Sequence, residues 1–223
     1  MMESSKARRS ALAYGLATVA VTVIAWAHAL WFGHTWTLLQ IMVPFSFVLL
    51  GMLIKYGDVS FDDGAFDQKV SKALAIPCGL WMGALIITDP DSATIFIGLL
   101  LALLLASKYD NTAFRVGFAT AGIMAIISFK DFPNNANYIG VAVVFAAAFL
   151  DEKASDWADR RNEGGGLARL MKERPILKVA ILALCVTSVL SSYLYFFAFI
   201  GFDLGYSFVE RLSELRRCQS VPA

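Results

Sequence analysis

Long runs of apolar residues constrain this chain more than any other feature of its sequence. A helix needs about 20 residues to cross roughly 30 Å of hydrocarbon, and several runs approach or exceed that length. Of the 223 residues, 58% are hydrophobic and 17% charged, whereas an ordinary soluble domain has about 25% charged residues. The alternation expected of membrane β-strands is not found in these runs. We therefore predict an all-α, polytopic transmembrane helix bundle.

The apolar runs predict about seven spans within a single integral membrane domain, residues 1–223. The longest polar connection between two of them, 151–175, has 25 residues, which is too short for a separate domain. The predicted spans are 11–31, 36–55, 72–89, 93–107, 113–129, 137–150 and 176–201.

The distribution of basic residues predicts the orientation. With the N-terminus inside, fifteen of the 19 Lys and Arg fall on the inner side, as the positive-inside rule requires. Seven spans then place the C-terminal tail outside, together with Arg211, Arg216 and Arg217. In an alternative arrangement, the seventh predicted span is re-entrant and the tail returns inside. The expected location is the plasma membrane or an inner membrane.

Charged residues gather at three predicted inner connections, 54–72, 107–115 and 149–161. Helix N-caps and first turns favour acidic residues, so many of these carboxylates could serve structure alone. Asp151 and Glu152 are different, because they follow the apolar run 138–150 at the end of a predicted span. Negative charge there opposes the helix dipole, so another group should offset it.

These clusters support one hypothesis, a metal-dependent enzyme acting on a phosphorylated lipid or prenyl substrate at the inner face. Carboxylates would hold Mg²⁺ or another divalent cation, and basic side chains would bind phosphate. The predicted catalytic residues are Asp110, Asp151 and Asp156. The predicted substrate-binding residues are Lys55, Lys108 and Arg115. The predicted metal ligands are Asp63, Asp67, Asp151 and Glu152.

The sequence leaves two alternatives open. No Asp, Glu, Lys or Arg lies near the middle of a predicted span, which argues against a proton pump or ion-coupled transporter. A cation channel or uncoupled carrier could instead expose backbone carbonyls where Pro77 interrupts a span. A scaffold or assembly subunit could use the small-residue face of Gly117, Ala121 and Ala125 to pack helices within the chain or between protomers.

The expected partners are membrane lipid and a second copy of the chain, and not nucleic acid.

Overall fold

The computed structural model describes residues 2–32, 38–62, 64–106, 111–131, 136–161 and 174–220. Within these ranges, the regular secondary structure consists of eight α-helices. This confirms the all-α prediction. The helices are α1 (Met2–Phe32), α2 (Leu38–Asp62), α3 (Gln68–Thr88), α4 (Pro90–Leu105), α5 (Thr112–Asp131), α6 (Tyr138–Arg161), α7 (Pro175–Val186) and α8 (Leu194–Ser220).

Four of the described helices are long and apolar enough to cross a membrane, which fits an integral membrane protein. Two further apolar helices are shorter, α4 with 16 residues and α7 with 12. The structure therefore does not confirm seven spans. The four candidate spans are Ser5–Phe32, Ile41–Asp62, Gln68–Thr88 and Thr112–Lys130.

Polar caps explain where several helices begin. Asp67 accepts a hydrogen bond from the Lys69 backbone N–H (2.7 Å) at the start of α3, and Asn111 does the same for Phe114 (2.7 Å) in α5. Asp89 ends α3 and also caps α4, where Pro90 occupies the first turn. A side-chain acceptor at this position satisfies an N–H that has no partner within the helix. The capping roles expected of acidic residues and their amides thus account for part of the charge at the connections.

The prediction of a single span at 176–201 is wrong, because the chain divides there into α7 and α8. The turn between them includes Ser188 in the left-handed region at φ 57°. Helix α8 runs antiparallel to α1: His28 of α1 contacts Phe197 near the start of α8, and Tyr14 contacts Arg211 further along it. The C-terminal part of α8 consequently lies at the same end of the bundle as the start of α1. This is the arrangement of the alternative in which the tail returns.

Glycine and alanine bring the remaining helices into close contact. A Cβ added to Gly79 of α3 would lie 2.5 Å from the carbonyl oxygen of Gly117 in α5, and the buried side chains of Ala121 and Ala125 continue that face. Small side chains allow such close approach of two helix backbones. The small-residue face of α5 therefore packs within the chain. Helices α4 and α6 form a similar parallel pair, with Gly98 of α4 against α6.

Helix α2 packs parallel to α8 just as closely, which leads to a stability prediction. A Cβ on Gly51 would overlap the backbone carbonyl oxygen of Phe202. We expect Gly51→Ala to destabilise the protein by about 1–3 kcal/mol through overpacking, measured as a lower unfolding midpoint in detergent.

The matched control is Gly122→Ala, where an added Cβ meets no heavy atom within 4 Å. Alanine is the better helix former by about 1 kcal/mol, so this variant should unfold at the same midpoint or a higher one. Equal stability of the two variants would contradict the close α2–α8 contact.

Candidate functional site

A cavity of about 710 Å³ occupies one end of the bundle, which we call the charged end and which holds Lys55, Asp151 and Tyr206. All eight helices, or residues next to them, contribute to its wall. Its charged lining residues are predominantly acidic. Among the described residues, three basic ones line it, Lys55, Arg174 and Arg211, and seven acidic ones, Asp58, Asp62, Asp151, Glu152, Asp203, Glu210 and Glu214.

Tyr206 of α8 lies at the centre of the charge network in this cavity. Its hydroxyl donates to the Asp58 carboxylate (3.2 Å) and lies 3.4 Å from the Lys55 ammonium. The ammonium of Lys55 and the guanidinium of Arg174 both face the Tyr206 ring, at 4.6 and 5.3 Å from its centroid. Cations are attracted to the face of an aromatic ring. Tyr206 of α8 therefore contacts charged side chains from α2 and from the residue before α7.

Each of the three described basic side chains that line the cavity also forms an ion pair. Lys55 binds Glu210 of α8 (3.1 Å), and Arg174 binds Glu152 of α6 (3.1 Å). Arg211 binds Glu214 one turn along the same helix (2.8 Å). Just beyond the lining, Lys178 binds Asp203, a fourth pair at 2.7 Å. The first two pairs connect different helices, so the charged side chains also hold the walls of the cavity together.

Asp151 has a structural partner that the sequence analysis did not identify. The side chain is 1% exposed, and its two oxygens accept hydrogen bonds from the backbone N–H groups of Ile176 (3.1 Å) and Leu177 (2.7 Å). It thus caps α7 from the neighbouring helix α6, since Arg174 at the N-cap position makes no side-chain cap. Burial raises the pKa of Asp151, while the two N–H donors act in the opposite direction. The positive end of α7 supplies the offset that this charge needs.

Three of the residues predicted for the site line the cavity together, namely Lys55, Asp151 and Glu152. Helix α6 continues to Arg161, so Asp156 lies about one turn beyond Glu152, outside the lining. Asp67 caps α3 at an exposed position, and Arg115 is exposed on α5. The predicted roles of these residues stay predictions. Three further members of the predicted site, Asp63, Lys108 and Asp110, lie outside the described residues.

The described residues show no group of three or more His, Cys, Asp or Glu arranged to hold a metal ion. The described residues include three of the predicted metal ligands, Asp67, Asp151 and Glu152. Asp67 and Asp151 cap different helices, and Glu152 pairs with Arg174. The metal-binding roles predicted for these three residues stay predictions.

Several residues of the cavity were missed because the sequence analysis placed the C-terminal tail on the other side. Tyr206, Glu210 and Arg211 all belong to that tail. A signal was available: placing three Arg outside conflicts with the positive-inside rule, and the returning tail removes that conflict. Arg174 was counted as an inner basic residue but had no predicted role, since its partners Glu152 and Tyr206 come from distant parts of the sequence.

An apolar crevice borders the charged cavity. It has a volume of about 70 Å³ and lies mainly between α2, α3 and α5. Five residues line both spaces, so that the crevice and the cavity have a common wall: Ile54, Met82, Leu100, Leu103 and Phe114. A charged space and an apolar space thus meet at one end of the bundle.

Aromatic packing lies on the side of the cavity that faces the bundle interior. Phe202 lines the cavity, and its ring contacts those of Phe96 (6.4 Å) and Phe199 (5.8 Å). Phe96 also contacts Phe47 (4.6 Å). All three partners are at most 1% exposed. These four aromatic side chains form an apolar layer next to the cavity.

The capping role of Asp151 predicts a specific loss of stability. Asp151→Ala would leave the N–H of the fully buried Leu177 without its acceptor, which should cost about 1–3 kcal/mol. Asp151→Asn retains an oxygen acceptor and should cost less. Asp151→Asn is therefore the matched control for the loss of the acceptor. Denaturant unfolding in detergent measures both variants, and an unchanged midpoint for Asp151→Ala would refute the cap.

Comparison with known proteins identifies no relative from which a function could be inferred. No protein-family model, curated protein or solved structure matches this chain. Its functional assignment must therefore come from the chemistry of the charged end.

Proposed function

We propose that this protein binds a phosphorylated amphiphile, with the headgroup in the charged cavity and the start of the tail in the apolar crevice. The observation that supports this proposal is the wall common to the two spaces. A lipid with a charged headgroup has the same two-part chemistry. The four apolar helices that could cross a membrane would give such a lipid sideways access from the bilayer.

Lys55 and Arg174 are the proposed headgroup ligands. Both line the cavity and face the same tyrosine ring, so one phosphate or diphosphate group could contact both. Arginine offers two parallel N–H donors to phosphate oxygens, whereas lysine provides a compact positive charge. Arg115, predicted from the sequence for the same role, lies exposed on α5 and is not part of this proposal.

The crevice accounts for the first part of the tail. Its lining includes Ala75, Gly79 and Gly117, where small side chains leave room between α3 and α5. A space of about 70 Å³ accepts only a few carbon atoms, so the rest of the tail would lie among lipids. Burying apolar carbon there contributes roughly 0.8 kcal/mol per CH₂ group.

Metal-assisted phosphoryl or diphosphate chemistry is the activity that we favour for such a site. Among the described lining residues, seven are acidic and three are basic, and a divalent cation arriving with the headgroup would balance this excess of negative charge. Such a cation stabilises charge that develops on a phosphoryl or diphosphate leaving group. Glu152 was predicted as a metal ligand, and its carboxylate lines the cavity. It pairs with the Arg174 side chain, whereas Asp151 accepts hydrogen bonds from backbone N–H groups.

Binding of farnesyl diphosphate to the purified protein in detergent tests the proposal. We expect Lys55→Met and Arg174→Met each to weaken binding about tenfold or more, because a hydrogen bond to a charged group contributes roughly 1.5–3 kcal/mol. Lys69→Met is the control, since Lys69 is exposed at the start of α3 and should leave affinity unchanged. Calorimetry with and without Mg²⁺ gives the affinities.

Two related compounds separate the contributions of headgroup and tail. Farnesol lacks the diphosphate and inorganic diphosphate lacks the tail, so both should bind more weakly than farnesyl diphosphate. If farnesol binds as tightly as farnesyl diphosphate, the headgroup assignment is wrong. If neither phosphorylated compound binds, the proposed function is wrong.

A further inference from the structure

The two proposed headgroup ligands are already neutralised within the protein. Lys55 and Arg174 are bound by Glu210 and Glu152, each at 3.1 Å. The four side chains come from different parts of the chain, namely α2, α8, α6 and the residue before α7. Both acids thus occupy the positions next to the cations that a phosphate oxygen would need.

The surroundings of these pairs make displacement physically reasonable. The side chain of Glu210 is 40% exposed, so its carboxylate can turn into water with little loss of hydration. The side chain of Glu152 is 13% exposed, and moving it away from Arg174 leaves a mostly buried charge. Separating a mostly buried charge from an ion-pair partner costs free energy. Of the two acids, Glu152 therefore opposes headgroup binding more strongly.

We propose, on the basis of the proposed function, that Glu152 and Glu210 are internal counter-ions that an incoming phosphate group displaces. In the empty site they prevent Lys55 and Arg174 from repelling one another across Tyr206. In the occupied site the phosphate takes their place, and the two carboxylates are released from their ion pairs. The affinity for a phosphorylated headgroup is then set by a competition between phosphate and carboxylate for the same two cations.

Competition between phosphate and carboxylate predicts the direction in which removal of a carboxylate charge changes the affinity. Glu152→Gln and Glu210→Gln keep the size of the side chain but remove its charge, so each should raise the affinity for inorganic diphosphate and for farnesyl diphosphate. We expect an increase of about threefold to tenfold in the absence of divalent cations, larger for Glu152→Gln than for Glu210→Gln. Calorimetry in EDTA measures the affinities.

Glu214→Gln is the matched control. Glu214 also lines the cavity, but it pairs with Arg211 on its own helix. It therefore reports the effect of removing one negative charge from the cavity without freeing Lys55 or Arg174. Its affinity should rise less than that of the other two variants. Each of those variants decides the question separately, so a folding defect in one leaves the other as the test.

The results that overturn the inference differ from those that overturn the proposed function. If wild type binds the diphosphate probes and either folded Glu variant binds with unchanged or lower affinity, or gains no more than Glu214→Gln, that carboxylate is not a competitor and the inference is wrong for it. If wild type binds the probes only with Mg²⁺, the Glu variants and Glu214→Gln are compared in Mg²⁺, and the same outcome overturns the inference. If wild type binds neither probe under either condition, the proposed function itself fails.

Discussion

The return of α8 along α2 is the contact on which the charged cavity depends. At one end of α8, the Tyr195 hydroxyl donates to the buried Asp89 carboxylate (2.8 Å), and Ser191 donates to Asp91 through its backbone and its hydroxyl. Those acids belong to the start of α4, so the turn before α8 is fixed there. Near the middle of α8, the Tyr206 hydroxyl contacts Lys55 and Asp58 of α2. Without this return, α8 would bring no side chain to the cavity.

The start of the short helix α7 depends on a side chain from another helix. The first N–H groups of a helix have no acceptor within it, and the Asp151 carboxylate of α6 accepts hydrogen bonds from two of those in α7. Arg174, immediately before the helix, takes the left-handed conformation at φ 50°, an unusual one for a residue other than glycine. The cap, the turn and the position of the Arg174 guanidinium thus depend on one another.

Local patterns predicted the parts of this structure that depend on nearby residues. The length of the apolar runs predicted the helical class, and the small-residue face on α5 predicted close helix packing, which the structure shows against α3. Acidic and amide side chains near the predicted helix starts indicated N-caps, and Asn111 accepts a hydrogen bond from the Phe114 backbone N–H in this way. Such features follow from interactions within a few residues or along one helix face.

The parts that were missed depend on partners far apart in the chain. The break between α7 and α8 contains apolar Val189 and Leu190 among its serines, so averaged hydropathy continues through it. The acceptor for the N–H of Leu177 lies 26 residues earlier, at Asp151, and Tyr206 is 151 residues from Lys55. No local pattern specifies such pairings. For the same reason, the charged end was predicted as a region but its central residues were not.

The central claim is that the charged cavity and the apolar crevice hold the two parts of one molecule. Photo-crosslinking with a farnesyl diphosphate analogue that carries a diazirine near the headgroup end of its tail tests this claim directly. The account predicts labelling of the crevice helices around Ala75–Cys78 and Gly117–Ala121, and excess inorganic diphosphate should abolish it. Labelling that is spread over the exposed apolar faces of the helices, or that persists with excess diphosphate, would contradict the account.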